Sequence, residues 1–123
     1  MLFNFDMDSI NKAVIILSGL PALNNTLHLT THEPLAQRII MNYEMEPLSL
    51  EEGTKYLQEK QKMAGSHMEV FERNAIEAIV NASNGIPRMI DKITNHSMKI
   101  GNSLNENIIT ADTIMKTVED LQI

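Results

Sequence analysis

The sequence predicts a mainly α-helical protein in two parts: a remnant of an α/β core, with one or two strands, over residues 1–46, and a four-helix bundle over residues 47–123. Three observations lead there. Ala13-Val14-Ile15-Ile16-Leu17 is apolar and β-branched without alternation, the pattern of a strand buried on both faces of a parallel sheet. From Pro47 onward, apolar residues recur at the spacing of one helix face, punctuated by Gly65, Gly85 and Gly101. The chain is 43% hydrophobic but only 4% aromatic, so its core is aliphatic, with nine methionines as filler.

A length of 123 residues fits one domain, or one domain and part of another. The formal net charge of −6 argues against a broad nucleic-acid footprint on this chain. With no cysteine, disulfides and thiolate metal sites are excluded, which suits a reducing compartment. The longest apolar run, Ala13 to Leu17, is far too short to span a membrane, and Met1-Leu2-Phe3-Asn4-Phe5-Asp6 lacks the basic start of a signal peptide. The expected location is cytoplasmic, without membrane contact.

Taken in order, residues 1–12 read as the end of a helix entering a loop. The strand of Ala13 to Leu17 needs partners, and Ile39 to Met45 is the only other strand candidate. Two strands do not make a stable sheet in water, so the partners lie outside this chain or come from another copy. Between them, Pro21 to Leu27 reads as a short helix, and Thr31 or Glu33 can cap a second, with Pro34 in its first turn and Leu35, Ala36 and Ile39 inward. Ser49-Leu50-Glu51-Glu52 is a capping box opening a helix that runs to Ala64, with Leu50, Leu57 and Ala64 on one face. Next come a helix from Ala75 to Ser83, another from Pro87 to about Ile100, and a turn at Gly101-Asn102-Ser103. Thr110 caps a last helix carrying Ile114, Val118 and Leu121, with Ile109 and Ile114 in the two positions of a hydrophobic staple.

Catalytic constellations are absent from this text. His28 and His32 are four residues apart, but Thr30 and Thr31 between them suggest a loop and no carboxylate completes a site, so no metal is expected. Three positions stand out. Ser18 ends the apolar stretch, where α/β proteins place residues that face a ligand crevice. Arg38 falls at a helix–strand junction. Arg88 follows Gly85-Ile86-Pro87, a corner in which glycine supplies a left-handed turn and proline starts the next helix. A guanidinium at such a helix start can reach a phosphate. Taken alone, the simpler reading of the corner is structural, with a solvated arginine.

The order of these features resembles the C-terminal half of AAA+ ATPases, and within them the ExeA type with its TnsC- and TniB-like transposition relatives. The matching text is Val14 to Leu23, Leu35-Ala36-Gln37-Arg38-Ile39, Pro47-Leu48-Ser49, Ala64-Gly65, Phe71 and, most specifically, Ala82-Ser83-Asn84-Gly85-Ile86-Pro87-Arg88-Met89-Ile90. Leu2 to Ser9 looks like the segment after the family's Walker B strand. The resemblance implies that Ser18 is the sensor-1 residue orienting water, that Arg38 is an arginine finger toward a neighbour's nucleotide, and that Arg88, set by Gly85 and Pro87, is sensor 2 on the helical lid. The family often has Gly-Gln-Pro where this chain has Gly19-Leu20-Pro21.

The chain has no Gly-x-x-x-x-Gly-Lys-Ser/Thr and no Walker B Asp-Glu pair. The implied cofactors, ATP and magnesium, therefore belong to a longer parent, with this chain its C-terminal sensor and lid piece, inactive alone. The implied role is coupling of nucleotide state to conformation and oligomer contacts, in secretion-type assembly or in transposition. Self-association through the uncovered strand is expected, and DNA is a partner for the parent only. The alternative is a helical protein–protein interaction module with no nucleotide role.

Overall fold

The structure, a computed structural model, describes residues 13–123. The helix end expected in residues 1–12, and the likeness of Leu2 to Ser9 to the segment after a Walker B strand, lie outside the described residues. The chain divides into two compact units after Glu44.

The first unit carries two short helices, α1 (Ala22–Leu27) and α2 (Glu33–Ala36), joined through a single 3-10 turn at Thr30–His32. Pro21 caps α1 and Pro34 lies in the first turn of α2. His32, and neither Thr31 nor Glu33, stands at the α2 cap position, and no side chain caps that helix. The two strands expected here are not formed: residues 13–20 and 39–45 have no regular secondary structure. The physical reason is the missing partner. A strand's amides need a neighbour's carbonyls, and among the described residues the only β pairing is an isolated bridge in the second unit. The residues expected to be buried on both faces are exposed instead, Val14 at 90% and Ile16 at 84%.

The second unit, Met45–Ile123, is built from α3 (Leu50–Met63), α4 (Arg73–Ala82), α5 (Pro87–Ser103) and α6 (Ala111–Leu121). The expected capping box forms: the Ser49 amide donates to Glu52 Oε2 at 2.9 Å and the Glu52 amide donates to Ser49 Oγ at 3.3 Å. These bonds from Ser49 hold the Glu52 carboxyl below the usual glutamate range. Helix α6 packs on both α4 and α5, and α3 packs on α4. A parallel bridge joins the segments that lead into α4 and α6: the Ile109 amide donates to the Val70 carbonyl at 2.9 Å and the Glu72 amide to the Ile109 carbonyl at 3.0 Å. Around it lies the core of Leu57, Phe71, Ala75, Ile79, Ile90, Ile93, Ile109 and Ile114. Ile109 and Ile114, the staple positions, are both in this core, and Thr110 caps α6 through the Thr113 amide.

Two helix details differ from the sequence reading. Leu50 is largely exposed, and the inward face of α3 is Gly53 and Leu57. Helix α5 continues through Gly101 to Ser103, so Gly101 is no turn residue. It is buried under Ile109, whose Cγ1 would lie 3.1 Å from any added Cβ; glycine is used here for close packing. The left-handed turn falls later, at Asn105, with φ 55°.

All four helices of this unit end in the same way. An amide beyond each helix reaches back to the carbonyl five residues earlier: Ser66 to Gln61, Gly85 to Val80, Glu106 to Gly101 and Ile123 to Val118. In each case a left-handed residue makes the reversal, Gly65, Asn84 with Gly85, Asn105 and Gln122. The closure satisfies carbonyls that helix ends would otherwise leave unpaired.

Candidate functional site

The corner between α4 and α5 is the best-defined of the sequence-selected positions. Helix α4 stops at Ala82, and Ser83 is buried, with its hydroxyl donating to the Val80 carbonyl at 2.8 Å. Asn84 and Gly85 both turn left-handed, at φ 51° and 70°. Ile86 is extended, Pro87 takes the first helical position and Arg88 the second. An element not read from the sequence holds this corner in place. The Leu48 amide donates to the Gly85 carbonyl at 2.8 Å, and Leu48 itself packs on the core. A Cβ on Gly85 would overlap the Leu48 carbonyl oxygen, so glycine is required twice, by its dihedral and by this close approach.

The Arg88 side chain leaves this fixed corner into solvent. A cation in a helix's first turn is disfavoured by the helix dipole, by about 0.3–1 kcal/mol when exposed, so the position favours an added anion. The carboxylate three residues on, Asp91, is taken. Tyr56 Oη donates to its two oxygens at 3.1 Å each, and Lys60 Nζ donates to Oδ2 at 2.8 Å. Lys60 also lies 5.4 Å from the centre of the Tyr56 ring. The bond to Asp91, chiefly, raises the Lys60 ammonium above its ordinary value. This α3–α5 cluster was not legible beforehand. Its one sequence trace is the spacing of Tyr56 and Lys60, four apart on a helix.

Gly85, Pro87 and Arg88 are thus brought together by one corner of the second unit. Ser18 and Arg38 belong to the first. Ser18 is exposed in the irregular stretch before α1, and Leu20 beside it is also exposed. Arg38 is exposed in the turn after α2, its amide donating to the Leu35 carbonyl at 3.0 Å. Among the described residues, no group of three or more His, Cys, Asp or Glu could hold a metal ion. The residues present do not by themselves fit a magnesium–nucleotide complex: the acidic pair and phosphate loop that would hold it are absent from the sequence. No described helix is long and apolar enough to cross a membrane.

The likeness of this helical bundle, with its Gly-x-Pro-Arg corner between two helices, to the C-terminal region of AAA+ ATPases rests on two matches. The chain is 30% identical over 98 residues to General secretion pathway protein A of Aeromonas hydrophila, a match covering 80% of this chain and 18% of that protein. The resemblance to ExeA-type AAA+ ATPases is shown by that match. A solved structure of a RuvB point mutant from Thermotoga maritima shares the fold, with a TM-score of 0.61 and 23% identity over 73% of this chain and 29% of that one. No family model matches the sequence. The chain therefore spans under a fifth of the curated relative's length, at 18%.

Proposed function

We propose that this chain is the sensor and lid region of an ATP-binding AAA+ ATPase, resembling ExeA-type assembly or transposition-regulator ATPases. In the longer protein it couples nucleotide state to conformation and to oligomer contacts. One observation carries the reading: Arg88 stands exposed at the start of α5, aimed by a corner that Leu48 and Gly85 lock together, with its near carboxylate already engaged. Arg88 is the sensor-2 contact to phosphate, and Gly85 and Pro87 set its direction. Ser18 and Arg38 fill the sensor-1 and arginine-finger roles. ATP and magnesium are held by parts of the longer protein, which supply the chemistry; this chain's residues sense and orient.

The test is made in a protein that joins the chain to its nucleotide-binding region. Arg88→Ala there lowers ATP turnover at least tenfold, the scale of one lost charge-assisted phosphate contact. The melting temperature of the lid is unchanged. Unaltered turnover would remove the sensor reading and leave a helical interaction module. For the 123-residue chain alone, ATP with magnesium produces no thermal shift, since a ligand stabilises only what binds it.

The first unit also supports self-association. Val14, Ile16 and Ile40 stand exposed along segments without regular secondary structure, and exposed apolar side chains drive association between chains. Sedimentation at micromolar concentration is expected to show an oligomer; a stable monomer counts against it.

A further inference from the structure

Asn84 is the one asparagine in the sequence that is followed by glycine, and it forms the α4–α5 corner. Its side chain is exposed and makes no hydrogen bond among the described residues. Such a pair is chemically reactive: the amide nitrogen of the following residue can attack the asparagine side-chain carbonyl, and glycine has no Cβ to shield that nitrogen. The fold works against the attack on both sides of Gly85. Its amide donates to the Val80 carbonyl at 3.2 Å, its carbonyl accepts from the Leu48 amide at 2.8 Å, and the residue is buried. A nitrogen held toward Val80 is not free to face Asn84 Cγ, so the attack needs the corner to open.

We propose that Asn84 is a self-modification site, whose side chain closes on the Gly85 nitrogen when the corner opens, and that the Leu48 and Val80 contacts hold this reaction back in the folded bundle. Water is the only co-reactant. A bond forms between Gly85 N and Asn84 Cγ, and the side-chain nitrogen leaves as ammonia with the Gly85 amide proton, so that a succinimide remains. Water then breaks one of the two ring bonds to that nitrogen. Breaking the new bond leaves aspartate; breaking the original peptide bond leaves isoaspartate, with the chain rerouted through Cγ and lengthened by one carbon. Either product places a carboxylate four residues before Arg88. Aspartate tolerates the left-handed backbone much as asparagine does, whereas isoaspartate loses the spacing that sets Gly85 against Leu48. Asn105 is the internal comparison. It is equally left-handed, at φ 55°, and the Glu106 amide closes on the Gly101 carbonyl at 2.9 Å in the same way, but the residue after it carries a side chain.

The 123-residue chain is incubated at mildly alkaline pH, and its peptides are followed by mass spectrometry with fragmentation that separates aspartate from isoaspartate. In urea, where the bundle is unfolded, Asn84 is expected to convert ahead of every other asparagine, and about tenfold or more faster than Asn105. In native buffer its conversion is expected to slow by about tenfold or more, because the reaction proceeds only from the opened fraction. Leu48→Ala strips the packing that seats the Leu48 amide, and native conversion then rises about threefold while circular dichroism still shows the helices. Equal rates in native buffer and in urea overturn the proposal, as does another asparagine converting first in urea. A folded Leu48→Ala chain with an unchanged rate removes the restraint assigned to Leu48. The ratio of native to urea rates needs no variant, so it decides the matter even if Leu48→Ala does not fold. None of these outcomes depends on the nucleotide reading, whose test is ATP turnover.

Discussion

The two units of this chain have a similar taste for aliphatic residues and reach opposite outcomes. In the second, four helices bury Ile79, Ile90 and Ile93 completely, at 0% exposure. In the first, no described residue is buried, and Ile40 stands 97% exposed. The difference is one of local sufficiency. A helix satisfies its own backbone and needs only a neighbouring face, which the bundle supplies within about eighty residues. A parallel strand must find its hydrogen bonds on other segments, so an apolar run such as Val14-Ile15-Ile16-Leu17 has no structure to adopt without them. The ExeA-like sequence thus carries a region that completes itself and a region that depends on something else.

This contrast can be broken or sharpened by substitution. The largest effect is expected in the bundle core: Ile79→Ala or Ile90→Ala costs about 2–5 kcal/mol in urea unfolding, whereas Val14→Ala stays within about 0.5 kcal/mol for the monomer. A comparable loss at Val14 would mean that the first unit folds against something. Next come two glycines. Gly85→Ala meets both a left-handed backbone and the Leu48 carbonyl, and costs clearly more than Gly65→Ala, where φ is 81° but an added Cβ has open space. Gly65→Ala is expected near 1 kcal/mol, and equal losses at both would remove the role assigned to Leu48.

Smaller still is the capping box, where Ser49→Ala costs about 1 kcal/mol by thermal unfolding. It also has a pH signature. The folded state depresses the Glu52 carboxyl from its ordinary 4.5, so the capping contribution is fully present above that value and disappears as pH falls through the lowered one. Lys60 has the opposite sign: its folded value is raised above 10.5, so its contribution is complete below that pH and is lost as pH rises through the raised value. Ser49→Ala weakens the acid limb only in part, because the backbone amide at position 49, the larger cause, remains; Glu52→Gln removes that limb. The smallest effect is expected at the α5–α6 pair of His96 and Asp120, 2.6 Å apart and largely exposed at the carboxylate; Asp120→Ala changes stability by less than about 1 kcal/mol.

What the sequence determined by itself was mostly local. The Ser49–Glu52 box, the Thr110 cap, Pro87 at a helix start and a left-handed Gly85 all depend on a few consecutive residues, and each was legible from them. So were the four bundle helices, because the period of an amphipathic helix is written in its own residues. The matches add that this text is ExeA-like along most of its length. Tertiary structure alone decided the rest. It turned Gly101 from a turn residue into a packing residue beneath Ile109, and moved the reversal to Asn105. It set Leu48 against Gly85 and joined Tyr56 and Lys60 to Asp91. It also withheld the strand that Ala13 to Leu17 promised. Caps and turns are settled within one turn of chain, whereas packing, ion pairs and sheets are settled by which distant residues arrive, and hydrophobicity does not say which those will be.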